Sequence, residues 1–342
     1  MRDFTPAEKA QRDAVLAVIR ESYRSHGFDE IETPVMEESS RLSAGLGGDN
    51  EKLAFGILKR GLTVDDVHAA DAVADLIDMG LRYDLTVPLA RFFATNRAEL
   101  PPVFRAIQIA PVWRAERPQK GRFRQFVQCD IDILGEPGIL AEVELITATH
   151  ATLERLGVTG TTIRLNDRRI LLGLLESLGL TDTESALITL DKLDKIGADG
   201  VLDELRERGA GEPALTTLAN LLASHSTPTS APTLSAMTDA LPDGVAPEAV
   251  AELAAIADAV GRDVPLVFDP FLVRGMGYYT GAIFEVAHPA LGYSLGGGGR
   301  YDGMIGRFLG TDVPAVGFSL GFERLVDLVS TTANTDDAAV AV

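Results

Sequence analysis

Cysteine is almost absent from this chain: Cys129 is the only one in 342 residues. A disulfide framework within the chain is thereby excluded, and so is a cysteine-built zinc site. Histidine is scarce too, with five copies at positions 26, 68, 150, 225 and 288 that never fall at ligand spacing. No protein-held metal is expected. Basic charge is the third deficit, 31 Lys and Arg against 50 Asp and Glu, for a formal net charge of −19. Proteins that grip nucleic acid along an extended surface need the opposite sign, because phosphate neutralisation carries most of their non-specific affinity. Contact with RNA would be confined to local patches. Long apolar runs are missing as well, and nothing approaches the roughly 18 residues of a membrane span. The first twenty residues, with Arg2, Asp3, Glu8 and Lys9, do not read as a signal peptide. A cytoplasmic protein without membrane contact is expected.

What is present has the composition of a soluble globular protein, 46% hydrophobic and 24% charged, and the length suits one large or two ordinary domains. One stretch departs from the acidic background. FRAIQIAPVWRAERPQKGRFRQFVQCDIDILG, residues 104–135, sets five basic side chains (Arg114, Arg117, Lys120, Arg122 and Arg124) within eleven residues. Ile107 to Trp113 and Phe126 to Leu134 read as strands, and Pro118 and Gly121 mark the turn between them. The second strand alternates, so Phe126, Gln128, Asp130 and Asp132 should form a polar face, with Cys129 on the buried one. Arginines beside Gln128 and Asp132 suit an anionic ligand. A hairpin with a solvated basic loop is the plainer alternative.

Elsewhere the pattern is mixed. Thr5-Pro6-Ala7-Glu8 predicts a capped helix that runs to Gly27, with Leu16, Ile19 and Tyr23 on one face. Phe28 to Val35 is a short strand broken by Pro34, hence an edge or an interface. Residues 42–64 read as loop and hairpin, and 65–79 as helix. In Leu81 to Pro88, Asp84 and Thr86 stand two apart, on the same side of an extended chain, a suitable pair for an ammonium group. The alternative makes Thr86 an N-cap beside a surface Asp84. A helix over 139–156 and a strand over 161–165 precede a helical block from 167 to about 259, interrupted by a Ser/Thr/Pro-rich stretch at 224–247. Strands return at Leu266. Arg274 is expected on a strand that leads to a glycine-flanked turn bearing Tyr278 and Tyr279, followed by a strand at Ala282 to Ala287. Gly296 to Gly299 remove all side-chain volume from another strand, which makes most sense where a ligand lies against the backbone. No Walker GxxxxGK(S/T) and no strand–GxGxxG–helix is present.

These segments together resemble one family. Residues 104–135 are similar to motif 2 of class II aminoacyl-tRNA synthetases in its histidine-specific form, GFDEIETPVME to motif 1, and PAVGFSLGFERL to motif 3. LRYDLTVPLAR, LVRGMGYYTG and GGGGRYDG resemble the segments that set histidyl-tRNA synthetases apart. The resemblance runs in order from Arg2 to about Leu328. It implies an α+β fold, an antiparallel sheet flanked by helices with a helical insertion, usually dimeric through motif 1. The expected division is a catalytic core at 1–166 and 263–330, the insertion at 167–262 and a tail at 331–342. It implies ATP with Mg2+ on its phosphates, histidine as amino acid and the tRNA acceptor end as partner.

Carried over by position, Arg114 would bind the α-phosphate and the substrate carboxylate, Glu116 the adenine end, and Phe126 would stack on adenine. Arg122 and Arg324 would hold the outer phosphates. Asp84, Thr86 and Gln128 would take the amino group, Asp132, Tyr278 and Tyr279 the imidazole. Arg274 would be the mobile cation on the reacting carboxylate and α-phosphate. Joining two anions calls for fixed positive charge and no general base, which suits arginine. The chain departs from the family pattern at Gly277, where Asp is usual, and at Gly296, where Ala is common. It stops at Ala338-Ala339-Val340-Ala341-Val342, similar to the first strand of the family's anticodon-binding domain, so a truncated or shortened chain is expected. Three activities fit: a histidine-activating enzyme charging tRNA, a paralogue passing an adenylate to a small amine or carrier, and the non-catalytic regulatory subunit of ATP phosphoribosyltransferase. Retention of Arg114, Arg122, Arg274 and Arg324 argues against the last.

Overall fold

The computed structural model describes residues 1–43, 53–117, 123–224, 241–242, 244–274 and 277–329. Along them run strands β1 (Asp29–Glu30), β2 (Met36–Glu38), β3 (Phe55–Leu58), β4 (Ile77–Leu81), β5 (Phe104–Trp113) and β6 (Gln125–Leu134). Strands β7 (Thr162–Asp167), β8 (Leu266–Phe268), β9 (Ala282–Ala287), β10 (Gly296–Arg300) and β11 (Ala315–Gly321) follow. The helices are α1 (Pro6–Ser25), α2 (Ser39–Ser43), α3 (Val64–Ala69), α4 (Thr86–Asn96), α5 (Leu140–Arg155), α6 (Arg168–Ser177), α7 (Thr183–Leu190), α8 (Leu193–Glu207), α9 (Glu212–Ser224), α10 (Pro247–Val260) and α11 (Gly303–Leu309), and residues 322–329 are helical. The chain divides into two compact units, one of Met1–Glu136, Ala148–Thr159 and the residues from Asp302 on, the other of Pro137–Thr147 and Gly160–Tyr301.

In the first unit the strands lie in the order β1-β5-β6-β11. The predicted hairpin is its centre: β5 and β6 pair antiparallel from Phe104 opposite Leu134 to Trp113 opposite Gln125. β11 continues antiparallel on β6, and β1 joins β5 in parallel. Helix α1 begins with the expected capping box, in which the Thr5 N–H donates to Glu8 Oε2 at 2.7 Å and the Glu8 N–H to Thr5 Oγ1 at 3.4 Å. Its buried positions, Arg12, Val15, Ile19, Ser22 and Tyr23, recur at helical spacing. Leu16 is only half-buried, and Gly27 ends the turn at φ +83. Cys129 is fully buried, as a small core residue.

Pro34 divides the motif 1 segment, sending β1 to pair with β5 and β2 to a three-stranded antiparallel sheet, β2-β4-β3. That small sheet overturns the helix expected over 65–79. Helix α3 stops at Ala69, a single 3-10 turn spans Val73–Leu76, and Ile77–Leu81 is the sheet's central strand. Pairing on both sides, with Met79 opposite Glu38 and Ile57, outweighs the helical propensity of an alanine-rich stretch.

In the second unit the order is β10-β9-β7-β8, antiparallel except for β7 with β8. Helices α6 to α10 occupy the sequence between β7 and β8. Asp167 caps α6 by accepting the Arg169 N–H at 2.8 Å, and the helix buries Ile170, Leu171, Leu174 and Leu175. Most of the Ser/Thr/Pro-rich stretch lies outside the described residues. Arg274 is not on a strand, contrary to expectation. β8 ends at Phe268 because Asp269 Oδ1 accepts the Phe271 N–H at 3.0 Å, a side-chain turn reinforced by Pro270.

Candidate active site

Arg114 follows β5 directly. Its Nε donates to the Tyr83 carbonyl at 3.0 Å, and its guanidinium carbon lies 5.0 Å from the centre of the Phe126 ring on β6. The carbonyl is a firm acceptor because its segment is stitched down. Arg82, buried, donates to the carbonyls of Thr33 (2.7 Å), Pro34 (3.1 Å) and Pro111 (3.0 Å), and the Tyr83 hydroxyl donates to Leu42 O at 2.8 Å. An arginine that gives one N–H to a backbone carbonyl and lies against an aromatic face keeps part of its planar fork for a phosphate or carboxylate.

Asp84 is buried, not at the surface. Its Oδ1 accepts the Val87 N–H at 3.4 Å at the start of α4, and its Oδ2 is buried without a hydrogen-bond partner. Burial lifts its pKa to about 6 against the opposing charge of Arg114 and the Val87 N–H. Thr86 is half-exposed at the first position of α4, so Leu85 and not Thr86 is the N-cap. Leu85 has helical dihedrals, φ −108 and ψ −9, so the extended spacing that put Asp84 and Thr86 on one side does not hold.

The polar face of β6 is half-buried at Phe126 and Gln128 and buried at Asp130 and Asp132. Asp130 and Asp132 are 5% and 4% exposed. Across β5, β6 and β11, Gln108, Asp130 and Ser319 stand in register. Gln128 Nε2 donates to Ser319 Oγ at 3.2 Å, while Gln108 Nε2 donates to Leu85 O and its Oε1 accepts the Thr33 hydroxyl, both at 2.9 Å. Burial and then the neighbouring Asp132 hold the Asp130 carboxyl well above the usual carboxylate range, opposed by a Ser319 hydrogen bond. Gln128 Oε1 and Asp130 Oδ1, like Asp84 Oδ2, are buried acceptors with no partner. Each such atom costs about 1–3 kcal/mol unless a donor arrives. An ammonium group, with three donors, is the complementary chemistry.

Glu323, at the start of the helix after β11, accepts the Val127 N–H at 3.2 Å and forms a two-pronged ion pair with Arg12 of α1. It thus fixes the backbone between Phe126 and Gln128. Arg324 follows it, half-buried. Glu116 is half-buried, and its carbonyl accepts from Arg124 Nε at 3.2 Å. Arg122 lies outside the described residues.

Arg274, Tyr278 and Tyr279 belong to the second unit. The Tyr278 and Tyr279 rings are buried with centroids 4.8 Å apart, and Tyr301 meets Tyr278 edge-on at 5.9 Å. Arg274 Nη1 donates to Glu285 Oε2 at 2.9 Å. The four-glycine strand has an occupant among the chain's own atoms: a Cβ on Gly297 would lie 2.6 Å from Cζ and Nη1 of Arg274 and 2.7 Å from Phe284 O. Gly299 likewise faces the Tyr279 ring, 2.8 Å from where its Cβ would stand. The close approach read from these glycines is real, and side chains fill it.

The histidyl-tRNA synthetase family model matches residues 1–325. The chain belongs to the histidyl-tRNA synthetase family. It is 63% identical over 342 aligned positions to the "Histidine--tRNA ligase" of Leifsonia xyli subsp. xyli, covering 96% of this chain and 79% of that protein. Identity is 47% to the "Probable histidine--tRNA ligase" of Tropheryma whipplei strain Twist, over 98% of this chain and 80% of the relative. A solved structure, the histidyl-tRNA synthetase of Nostoc sp. PCC 7120, superposes with a TM-score of 0.77 at 28% identity, covering 97% of this chain and 74% of that one. The expected fold, α+β with mostly antiparallel sheet and a helical insertion, is the one this family shares.

Several residues around these sites in the histidyl-tRNA synthetase fold are not marked as site residues by the sequence alone. Asp130 carried a signal, since it shares the period-two face of Gln128 and Asp132. Glu285 carried one too, as the single charged side chain in AIFEVA. Arg12, Glu323 and Ser319 did not stand out, because their partners lie far along the chain.

Proposed function

We propose that the protein is a histidine–tRNA ligase: it joins histidine to AMP using ATP and passes the histidyl group to tRNA. The observation that carries this reading is the pairing of Arg114, braced by Tyr83 O and Phe126, with the orphaned acceptors of Asp84, Gln128 and Asp130. A fixed cation next to acceptors that lack donors suits a substrate with a carboxylate or phosphate at one end and an ammonium at the other. Histidine meets that description once its carboxylate is presented to the α-phosphate. A carboxylate oxygen attacks the α-phosphorus, the α–β bridge breaks and pyrophosphate leaves. The tRNA acceptor end then takes the acyl group and AMP departs. Arg114 and Arg274 would offset the charge that builds up at the α-phosphate, with Arg122 and Arg324 on the outer phosphates. Phe126 would stack on adenine with Glu116 at its edge, Asp84, Thr86 and Gln128 would receive the amino group, and Asp132, Tyr278 and Tyr279 the imidazole.

Mg2+ enters this reading with the ATP phosphates. Among the described residues no three acidic, histidine or cysteine side chains gather as a metal cage. A homodimer through motif 1 is part of the proposal, supported by Val35 and Met36, which stay 41% and 48% exposed in that segment. No described helix is long and apolar enough to cross a membrane, and a cytoplasmic place is proposed with the activity. The division into a core at 1–166 and 263–330 and an insertion at 167–262 stays part of this reading.

The deciding experiment is amino-acid-dependent ATP–pyrophosphate exchange over an amino-acid panel, followed by charging of tRNA. Exchange with histidine and charging of tRNA are expected. Exchange without charging would favour a non-tRNA acceptor. Histidine binding with no exchange for any amino acid would favour the regulatory role and end the proposal.

A further inference from the structure

We infer that Glu285 is a positioning residue for Arg274, a hook set by Arg164 that holds the Arg274 guanidinium over the bare backbone of Gly297. The inference rests on the reading of Arg274 as the cation of adenylate formation. Three neighbouring strands build the seat. Arg164 on β7 stands opposite Glu285 on β9, and Glu285 stands opposite Gly297 on β10. Residues paired in this way project to the same face of a sheet, so the three positions form one row. Its third member has no side chain, and the Arg274 guanidinium occupies the space a Cβ would need.

Charge explains why the hook is rigid on one side and light on the other. Glu285 Oε1 accepts from Arg164 Nη1 at 2.9 Å, and Oε2 accepts from Arg274 Nη1 at 2.9 Å. Arg164 is in turn held by Asp269, whose Oδ2 accepts from Nε at 2.7 Å and also from Nη2. Glu285 and Asp269 match the two arginines, and the exposed Asp194 lies 4.0 Å from Arg164 Nη1, so neither half-buried arginine is left without a carboxylate. Side-chain exposures of 13% to 24% separate it from the solvated pairs whose contribution is near zero. Arg274 engages this anchor through one nitrogen, so the hook fixes where the guanidinium sits without consuming the fork that would meet an oxyanion.

The test uses the full chain and a double-variant cycle read by histidine-dependent ATP–pyrophosphate exchange, with single-turnover measurement where rates are low. Glu285→Gln keeps the shape and removes the charge. It is expected to lower kcat about 10- to 100-fold, the cost of a small misplacement of a reacting-centre cation, with KM for ATP changed by about two-fold at most. In an Arg274→Ala background the same substitution should change exchange by less than about two-fold, because Glu285 acts through Arg274. Arg164→Lys keeps the charge and loses the fork, and should give a smaller fall in kcat of the same kind. It serves as the second variant if Glu285→Gln folds poorly. Full kcat in both Glu285→Gln and Arg164→Lys, or independent losses that multiply in the double variant, would overturn the inference while leaving Arg274 its role. An Arg274→Ala enzyme with normal exchange removes that role and the inference with it.

Discussion

The two arginines proposed to act at the reacting centre sit in opposite surroundings. Arg274 lies in a cluster in which Glu285, Arg164 and Asp269 are all paired, with Asp194 at its exposed edge. Arg114 has a backbone carbonyl and an aromatic ring, and among the described residues it forms no ion pair. Two buried acids of its unit, Asp84 and Asp130, keep oxygens without partners. The same residue types thus serve two ends. Where charges are paired internally, the group is placed and held. Where acceptors are left over, the unit carries a standing cost that a donor-rich ligand would relieve.

The contrast can be broken most sharply at Arg274. Arg274→Ala should reduce kcat for exchange by about 1,000-fold, the upper range for losing one electrostatic contact to a transition state, with the far-UV circular dichroism spectrum unchanged. Normal turnover would mean that the paired arginine is structural only.

A stability effect comes next. Arg12→Ala strands Glu323, which is 11% exposed at the side chain, and loosens the backbone at Val127. A loss of about 3 kcal/mol in urea unfolding is expected, as for other buried pairs broken from one side. A loss below about 1 kcal/mol would show that the pair behaves as a surface one.

Asp84 sharpens the comparison through pH. Its pKa, raised to about 6 by burial, means that the folded chain holds this proton more tightly than the unfolded one. Its stabilising contribution is complete below the unfolded value and is lost as pH rises through 6. The unfolding free energy of the native protein relative to that of Asp84→Asn should therefore fall as pH rises from 4 to 7 and level off above it. Binding runs the other way, since an ammonium prefers the ionised form. KM for histidine should be raised by Asp84→Asn about 10-fold at pH 7.5, with the gap closing towards pH 5. The substrate imidazole titrates in both proteins, so the gap between them isolates Asp84. A gap constant with pH would remove Asp84 from the ammonium site.

The smallest expected effect is at Phe126. Phe126→Leu keeps the apolar volume and removes the ring under Arg114, worth about 0.5–1 kcal/mol. KM for ATP should rise by about two- to five-fold as the contact with Arg114 and the proposed stacking on adenine are both lost, and an unchanged KM would remove Phe126 from the adenine site.

By itself, the sequence determined the pieces whose information is local. The Thr5–Glu8 capping box, the β5–β6 hairpin, the burial of Cys129 and the four-glycine strand were legible because capping chemistry and a two-residue period are written within a few residues. The ordered motifs likewise carried the family. Tertiary structure alone decided the rest. Residues 77–81 became a strand because β2 and β3 flank them, a pairing no local window contains. The alternation of β6 was correct, yet alternation tells faces apart without saying that both are covered, and the partners that bury Asp130 come from other strands. The glycines marked a close approach but not its occupant, Arg274. Arg12 meets Glu323 across 311 positions, and Arg164 meets Glu285 across 121. A charge records its own sign in the sequence; its partner, its burial and so its protonation are fixed only when the chain has folded.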